Sequence, residues 1–275
     1  MAHIVLSEVS VSELAEAADA NFVVHASWAA ARTAGMQVIN EREFVLVDSG
    51  LLCDTFNLIC RARLARDDDS ARIRTAIDFF DRVERSFSWW VGPADQPPDL
   101  GAHLIEAGLL PAETELAMAA DLAHLPTVDL TPAGLVIRRV RTEQALQAYA
   151  RILDDPQVLR FYTLTAPVLL SADTPQWFYV GYLDDQPVAT AELTVAGGVV
   201  GLYSIVTLEA YRRRGIGTAM TVQPLLDARE QGFRTGVLQA AAAGVGVYAR
   251  LGFKQFGHIA EYKPPQRASN ALSDV

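Results

Sequence analysis

Arg212, Gly215 and Gly217 stand at a spacing that can seat an anion. They lie in Tyr203-Ser-Ile-Val-Thr-Leu-Glu-Ala-Tyr-Arg-Arg-Arg-Gly-Ile-Gly-Thr218, where a β-rich run from Leu202 to Leu208 breaks into a loop dense in arginine and glycine. A helix then opens, with apolar positions at Met220, Leu225 and Leu226. Both glycines can take up positive φ and bring backbone N–H groups close to a ligand. The first turn of the helix adds unpaired donors and the positive end of its dipole. The chemistry this suits is phosphate binding.

Two nucleotide readings fail on what the loop lacks. A dinucleotide fingerprint needs a third glycine three residues after Gly217, where Met220 stands, and an acidic residue about 20 positions on; no carboxylate occurs between Glu230 and Glu261. A phosphate loop of the Walker type needs Gly-Lys-Ser/Thr, and the first lysine of the chain is Lys254. What remains, Arg212-x-x-Gly215-x-Gly217, resembles the Q/R-x-x-G-x-G/A pyrophosphate loop of the GNAT superfamily of acetyl-CoA-dependent acyltransferases. Downstream, Val247-Tyr-Ala-Arg-Leu-Gly-Phe253 is similar to the Y-x-x-x-G-F segment that closes the cofactor-binding half in that superfamily.

The resemblance implies acetyl-CoA as cofactor and an amine as acceptor. It implies that the backbone amides of Arg213, Arg214, Gly215, Ile216, Gly217 and Thr218 hold the pyrophosphate, with Arg212 and Arg214 as charge partners. It also implies that Ile205 and Val206 pair their backbone with pantetheine and that Tyr248 protonates the departing thiolate. A phenol suits that task because its ordinary pKa near 10 keeps it protonated at neutral pH. Many family members carry a glutamate base on the strand before the loop; here that stretch is Leu202-Tyr-Ser204, without a carboxylate. Glu192, on the neighbouring strand between Ala191 and Leu193, is the substitute base, unless a chain of waters serves. A CoA-binding sensor that keeps the loop without turnover is the alternative to an enzyme.

Elements that position these residues can be read along the chain. At 275 residues, 51% hydrophobic and 20% charged, it has the length of two ordinary domains and the composition of a soluble globular protein. The first ten residues hold no basic region or long apolar run, which places the protein in the cytoplasm. The net charge of −10 is lopsided: residues 1–130 hold nine arginines, no lysine and 21 carboxylates, a balance of −12. Solubility accounts for this acidic half, and attraction of a cationic amine is the alternative. No basic patch beyond the loop arginines argues for nucleic acid, and no apolar run reaches a membrane span. Cys53 and Cys60 are expected as buried reduced thiols on opposite faces of a strand, and no metal constellation is visible.

The fold class expected is α/β with mixed sheets: two GNAT-like domains, each a twisted, mostly antiparallel sheet flanked by helices. Residues 1–123 form the first, through a strand at Ile4 to Leu6, a helix capped by Ser12, a hairpin of 44–47 with 51–59 around Asp48-Ser-Gly50, and a helix capped by Asp67 to Ser70. A strand at 87–91, a helix at 99–107 and a strand at 115–121 complete it. Its Ile59-Cys-Arg-Ala-Arg-Leu-Ala-Arg66 has no glycine where a pyrophosphate loop would lie, so this copy is read as lacking a cofactor site. Residues 124–134 are a linker, stiffened by Pro126 and Pro132, that keeps two sheets close enough to share an apolar contact. Residues 135–263 form the cofactor-binding domain: strands at 135–140, 177–182, 187–195, 202–208 and 235–240, helices from Thr142, after Gly215 and at 245–251, and a final strand at 255–263. The region 161–173 shows no clear period, and residues 264–275 read as a disordered tail.

Overall fold

Ser10 and Glu13 close the first helix before any tertiary contact is made. The Ser10 hydroxyl accepts from the Glu13 N–H at 3.2 Å and the Glu13 carboxylate accepts from the Ser10 N–H at 2.8 Å, a reciprocal capping box. Helix α1 therefore runs Val11–Ser27, with Ser10 rather than Ser12 as its cap. The computed structural model describes residues 3–65, 69–126 and 130–265. After α1 come β1 (Gln37–Asn40), β2 (Val45–Asp48), β3 (Leu58–Cys60), α2 (Asp69–Arg82), β4 (Ser88–Val91), α3 (Leu100–Glu106) and β5 (Leu110–Asp121). The second half holds β6 (Leu135–Arg139), α4 (Glu143–Ile152), α5 (Pro156–Leu169), β7 (Gln176–Leu183), β8 (Gln186–Ala196) and β9 (Val199–Thr207). It ends with α6 (Ile216–Glu230), β10 (Thr235–Ala240), α7 (Val245–Arg250) and β11 (Lys254–Lys263).

Several expectations shift for local reasons. Ile4 joins no strand: its N–H donates to Gly198 and its carbonyl accepts from the Thr235 hydroxyl, which pins the segment across two strand ends. The strand expected at 51–59 shrinks to Leu58–Cys60 because buried Asn57 organises a loop instead, accepting from Ser49 and donating to the carbonyls of Leu51 and Ser86. Cys53 sits in that loop and Cys60 in β3, both buried free thiols. The aperiodic region 161–173 is mostly α5, whose buried Val158, Phe161, Tyr162, Thr165, Ala166 and Leu169 keep helical spacing, while Leu159, exposed Leu164, Pro167 and Val168 put apolar residues on the other side and blur the period. The cap at Asp67 and Asp68, linker residues 127–129 and the tail from 266 lie outside the described residues. Among the described residues no helix is long and apolar enough to cross a membrane.

All eleven strands join one mixed sheet in the order β1-β2-β3-β4-β11-β5-β10-β9-β8-β7-β6. The two halves do not keep separate sheets: they exchange their last strands. β5 of the first half pairs antiparallel with β10 (Thr235 opposite Asp121 through Ala240 opposite Leu116), and β11 of the second pairs with β4 (Ala260 opposite Val91). β5 and β11 lie against each other between them. Along β8, Ala191 and Leu193 pack into the core under α6, while Thr190, Glu192 and Thr194 face the other side, toward α1.

Helix α1 is fastened to that second face by Asn21. Its buried Nδ2 donates to the carbonyls of Thr194, Ala196 and Val199 at 2.9, 3.1 and 3.3 Å, and its Oδ1 accepts the Tyr203 hydroxyl at 2.9 Å. Gly201 leaves the room this needs, since a Cβ there would collide with Asn21 Oδ1. A first-half helix is thus built into the second-half sheet.

Candidate active site

β9 and β10 run parallel for three residues only, Val200–Leu202 opposite Gly236–Leu238. Beyond Leu202 and Leu238 they part, β10 continuing along β5 and β9 along β8. A bulge drives the parting. Thr190 pairs with Val206 and Glu192 with Tyr203, so Ser204 and Ile205 together oppose Ala191. Ser204 takes φ 49°, and its carbonyl accepts the Thr190 hydroxyl at 2.8 Å. A bulge bends and twists its strand and leaves backbone groups without a ladder partner. Between the parted strands lies a cavity of about 340 Å³ lined by residues 202–206 with Glu115, Gln239, Gly244 and Tyr248.

At the end of β9 the chain turns through Glu209–Tyr211, and Arg212 Nε donates back to the Thr207 carbonyl at 3.0 Å. Arg213 and Gly215 both have positive φ, 60° and 80°. Gly215 is the N-cap of α6, with no side chain capping it, so the first amides of this 15-residue helix point out unpaired. They border a cleft of about 720 Å³ whose walls include Ile205, Val206, Arg212, Arg213, Thr218 and Arg250. Gly215, Ile216 and Gly217 also line it. The Arg214 guanidinium lies 5.6 Å from the centre of the ring of Tyr211, which also lines the cleft.

Tyr248 stands where this cleft meets the cavity between the strands and lines both. Its ring meets Phe253 edge-on at 6.0 Å, and a Cβ at Gly244 would press on it at 2.8 Å. Burial, and then the Glu115 carboxylate, push its hydroxyl above the ordinary phenol range. Tyr248 is therefore a protonated donor at neutral pH.

Glu192 lies at the floor of a third cavity, of about 440 Å³, between the two halves. It is 1% exposed, and its Oε1 accepts from Gln176 Nε2 at 2.9 Å and from the Thr194 hydroxyl at 3.4 Å. The same oxygen lies 2.8 Å from Nδ1 of His25, a residue of α1. The His25 ring stacks on Tyr203 with centroids 3.7 Å apart and is itself 22% exposed. This third cavity shares Tyr203, Ser204, Val206 and Gln239 with the one between the strands. The burial of Tyr149, Tyr162 and Tyr203, with Glu192 a further contribution, keeps those hydroxyls protonated well above the ordinary range.

The first half has the same strand pair without the opening. β3 and β4 are parallel at Leu58–Ile59 opposite Ser88–Trp89, but their continuations are stitched together: Gln96 N–H donates to the Ala62 carbonyl and Leu64 N–H to Gln96. Arg63 is consumed by Glu16, Asp19 and Asp95 at 2.7, 2.8 and 3.0 Å. Arg61 binds Asn40 and the Glu41 carbonyl.

This geometry agrees with the comparisons to known proteins. Residues 174–255 match the family described as "Acetyltransferase (GNAT) domain". No curated protein matches the sequence. A GCN5-related N-acetyltransferase from Kribbella flavida is similar in structure, with a TM-score of 0.69 at 20% identity over 90% of this chain and 96% of its own. A tandem GNAT protein from the clavulanic acid biosynthesis pathway aligns over 97% of this chain and 99% of its own, with a TM-score of 0.58 and 13% identity. A GCN5-related N-acetyltransferase from Sphaerobacter thermophilus follows at 0.58 and 14%, over 84% and 77%. At these identities the likeness is one of fold, and it extends through both halves.

His25, Gln176 and Arg250 were not singled out from the sequence. For His25 a signal existed: Asn21 and His25, four apart, form a polar pair on one face of Asn21-Phe-Val-Val-His25, where two uncompensated polar groups in an apolar run ask for buried partners. Gln176 and Arg250 carry no such mark.

Proposed function

We propose that the protein is an acetyl-CoA-dependent N-acetyltransferase that transfers an acetyl group to the amine of a small-molecule acceptor. The observation that carries this reading is the parting of β9 from β10 next to an uncapped helix N-terminus, a slot in line with an anion seat. The residues present fit the cofactor. Backbone amides from Arg213 to Thr218 would hold the pyrophosphate, since Gly215 and Gly217 put no side chain in the way, with the guanidinium groups of Arg212 and Arg213 beside it. Ile205 and Val206, at the bulged end of β9, would pair their backbone with pantetheine.

Bound there, acetyl-CoA supplies an acyl carbonyl activated as a thioester. A backbone N–H of parted β9 would polarise that carbonyl, and Tyr248, kept protonated by burial and by Glu115, would give a proton to the leaving sulfur. The test is a thermal shift with CoA, together with release of free thiol from acetyl-CoA in the presence of amines. Stabilisation by CoA but not NAD, and amine-dependent thiol release, are expected. No shift with CoA, or a larger one with NAD, overturns the reading.

A further inference from the structure

The cavity between the halves holds chemistry that the cofactor does not need. Its walls are aromatic: Phe22 and Trp90 from the first half, Phe161, Tyr162 and Tyr203 from the second, and Phe56 stacked on Phe161 with centroids 3.7 Å apart. His25 and Glu192 sit together at its floor. Gln176, 5% exposed, also lines it, and its Oε1 is buried without a hydrogen-bond partner. That oxygen is closed off from the open cavity, so the acceptor a ligand N–H can meet there is the His25 ring, which is 22% exposed.

We propose that this cavity is the acceptor site, that it takes a primary arylalkylamine, and that His25, held by Glu192, accepts the proton the amine gives up. The inference deepens the acetyltransferase reading above and rests on it. Glu192 fixes the tautomer: a carboxylate oxygen 2.8 Å from Nδ1 keeps the hydrogen on that nitrogen, which leaves Nε2 with a lone pair. Among the described residues Nε2 has no partner. The ring cannot swing away, because it is stacked on Tyr203, whose hydroxyl is bound to Asn21 one turn earlier on the same helix. Glu192 itself is too enclosed and too heavily engaged to meet an amine, so it acts as a positioning residue. Asp155, also in the cavity wall, is spent capping α5, where its carboxylate accepts from the N–H groups of Gln157 and Val158.

The atoms balance without any further reagent. The neutral amine nitrogen forms a C–N bond to the thioester carbonyl carbon and the C–S bond breaks. The proton on nitrogen passes to His25 Nε2, and the sulfur is protonated by Tyr248. His25 then releases its proton to solvent and Tyr248 recovers one.

The experiment uses the full chain with acetyl-CoA and three probes, 2-phenylethylamine, tyramine and tryptamine, followed by thiol release and by calorimetric binding of each amine. H25A is expected to lower kcat by about 10²-fold or more, with KM for acetyl-CoA and amine binding nearly unchanged, and added imidazole to restore part of the loss. H25N keeps a donor for Glu192 but no base, so it should be as slow as H25A; a merely structural histidine would be rescued by it. E192Q should lose about tenfold, with no response to imidazole. Wild-type kcat in H25N, or in H25A without imidazole, overturns the role of His25. CoA binding without thiol release from any of the three amines overturns the acceptor assignment. A wild-type chain that binds no CoA overturns the acetyltransferase reading itself.

Discussion

The ring of His25, from the first half of the chain, lies flat on the ring of Tyr203 from the second, 3.7 Å between centroids and 8° from parallel. The contact joins a helix that lines no part of the cleft at the start of α6 to the strand whose bulge borders the neighbouring cavity. Asn21 underlies it, through the Tyr203 hydroxyl and three sheet carbonyls. Asn21→Ala leaves those groups buried and unmet, and should destabilise the protein by about 2–3 kcal/mol. Urea denaturation with an unchanged m-value measures it. Turnover should fall with it, because α1 no longer holds His25 in place.

The cofactor loop gives a cleaner separation of binding from folding. A Cβ at Gly217 would meet nothing closer than Thr207 Oγ1 at 3.7 Å, so Gly217→Val should fold. The added side chain lies at the N-terminus of α6, where phosphate oxygens have to approach. On the proposed function, saturating CoA, at about 100 times its Kd, should stabilise wild type by about 2.7 kcal/mol. The variant should show a wild-type melting temperature without ligand and no shift with it.

Tyr248→Phe removes a hydroxyl and keeps the ring contact with Phe253. Turnover should drop by about 10²-fold while the CoA thermal shift stays as it was. Equal loss of both would make Tyr248 a binding residue.

Three carboxylates share one guanidinium at Arg63, and burial, followed by the neighbouring Asp19, raises the Asp95 carboxyl to about 7. A carboxyl whose folded pKa lies above its unfolded value near 3.9 contributes stability that is complete below that value and is lost as pH rises through about 7. Arg63→Met removes the charge that lowers Asp19 and Asp95 and so raises their folded values further. Denaturation at pH 5 and pH 8 should therefore show a larger loss at pH 8. An equal loss at both pH values would mean that Arg63 acts by packing alone.

Calorimetric titration of the full chain with CoA should give one site. β3 and β4 are bridged through Ala62, Leu64 and Gln96 where β9 and β10 stand apart, and a pantetheine arm has no slot there. A stoichiometry of two would require those bridges to open.

The turn from β9 into α6 was legible because its physics is local. Gly215 and Gly217 are needed for backbone conformation and close approach, and a strand before them and an apolar helix after them fix their context within 30 residues. The helix at α5 was not legible, because apolar Leu159, Leu164, Pro167 and Val168 on its outer side mask the helical spacing of its buried face. The pairing of His25 with Glu192 spans 167 positions, and only the docking of α1 through Asn21 brings it about. The exchange of β5 and β11 left no trace either, since each reads as an ordinary strand whichever neighbour it chooses.

That exchange sets the order in which the molecule can be completed. On a ribosome the first half emerges first, with β4 and β5 synthesised but the place between them reserved for β11, the last strand to leave the exit tunnel. Until Lys254–Lys263 arrives, β4 and β5 present open edges to the cell, and β10, formed in the meantime, can borrow β5 only as the second half assembles. The nascent first half is thus a sheet of β1 to β4 left open at β4, with β5 unpaired along both of its edges. A pause before the final ten strand residues would prolong that exposure. The sheet that both halves share is therefore complete only once β11 is in place between β4 and β5.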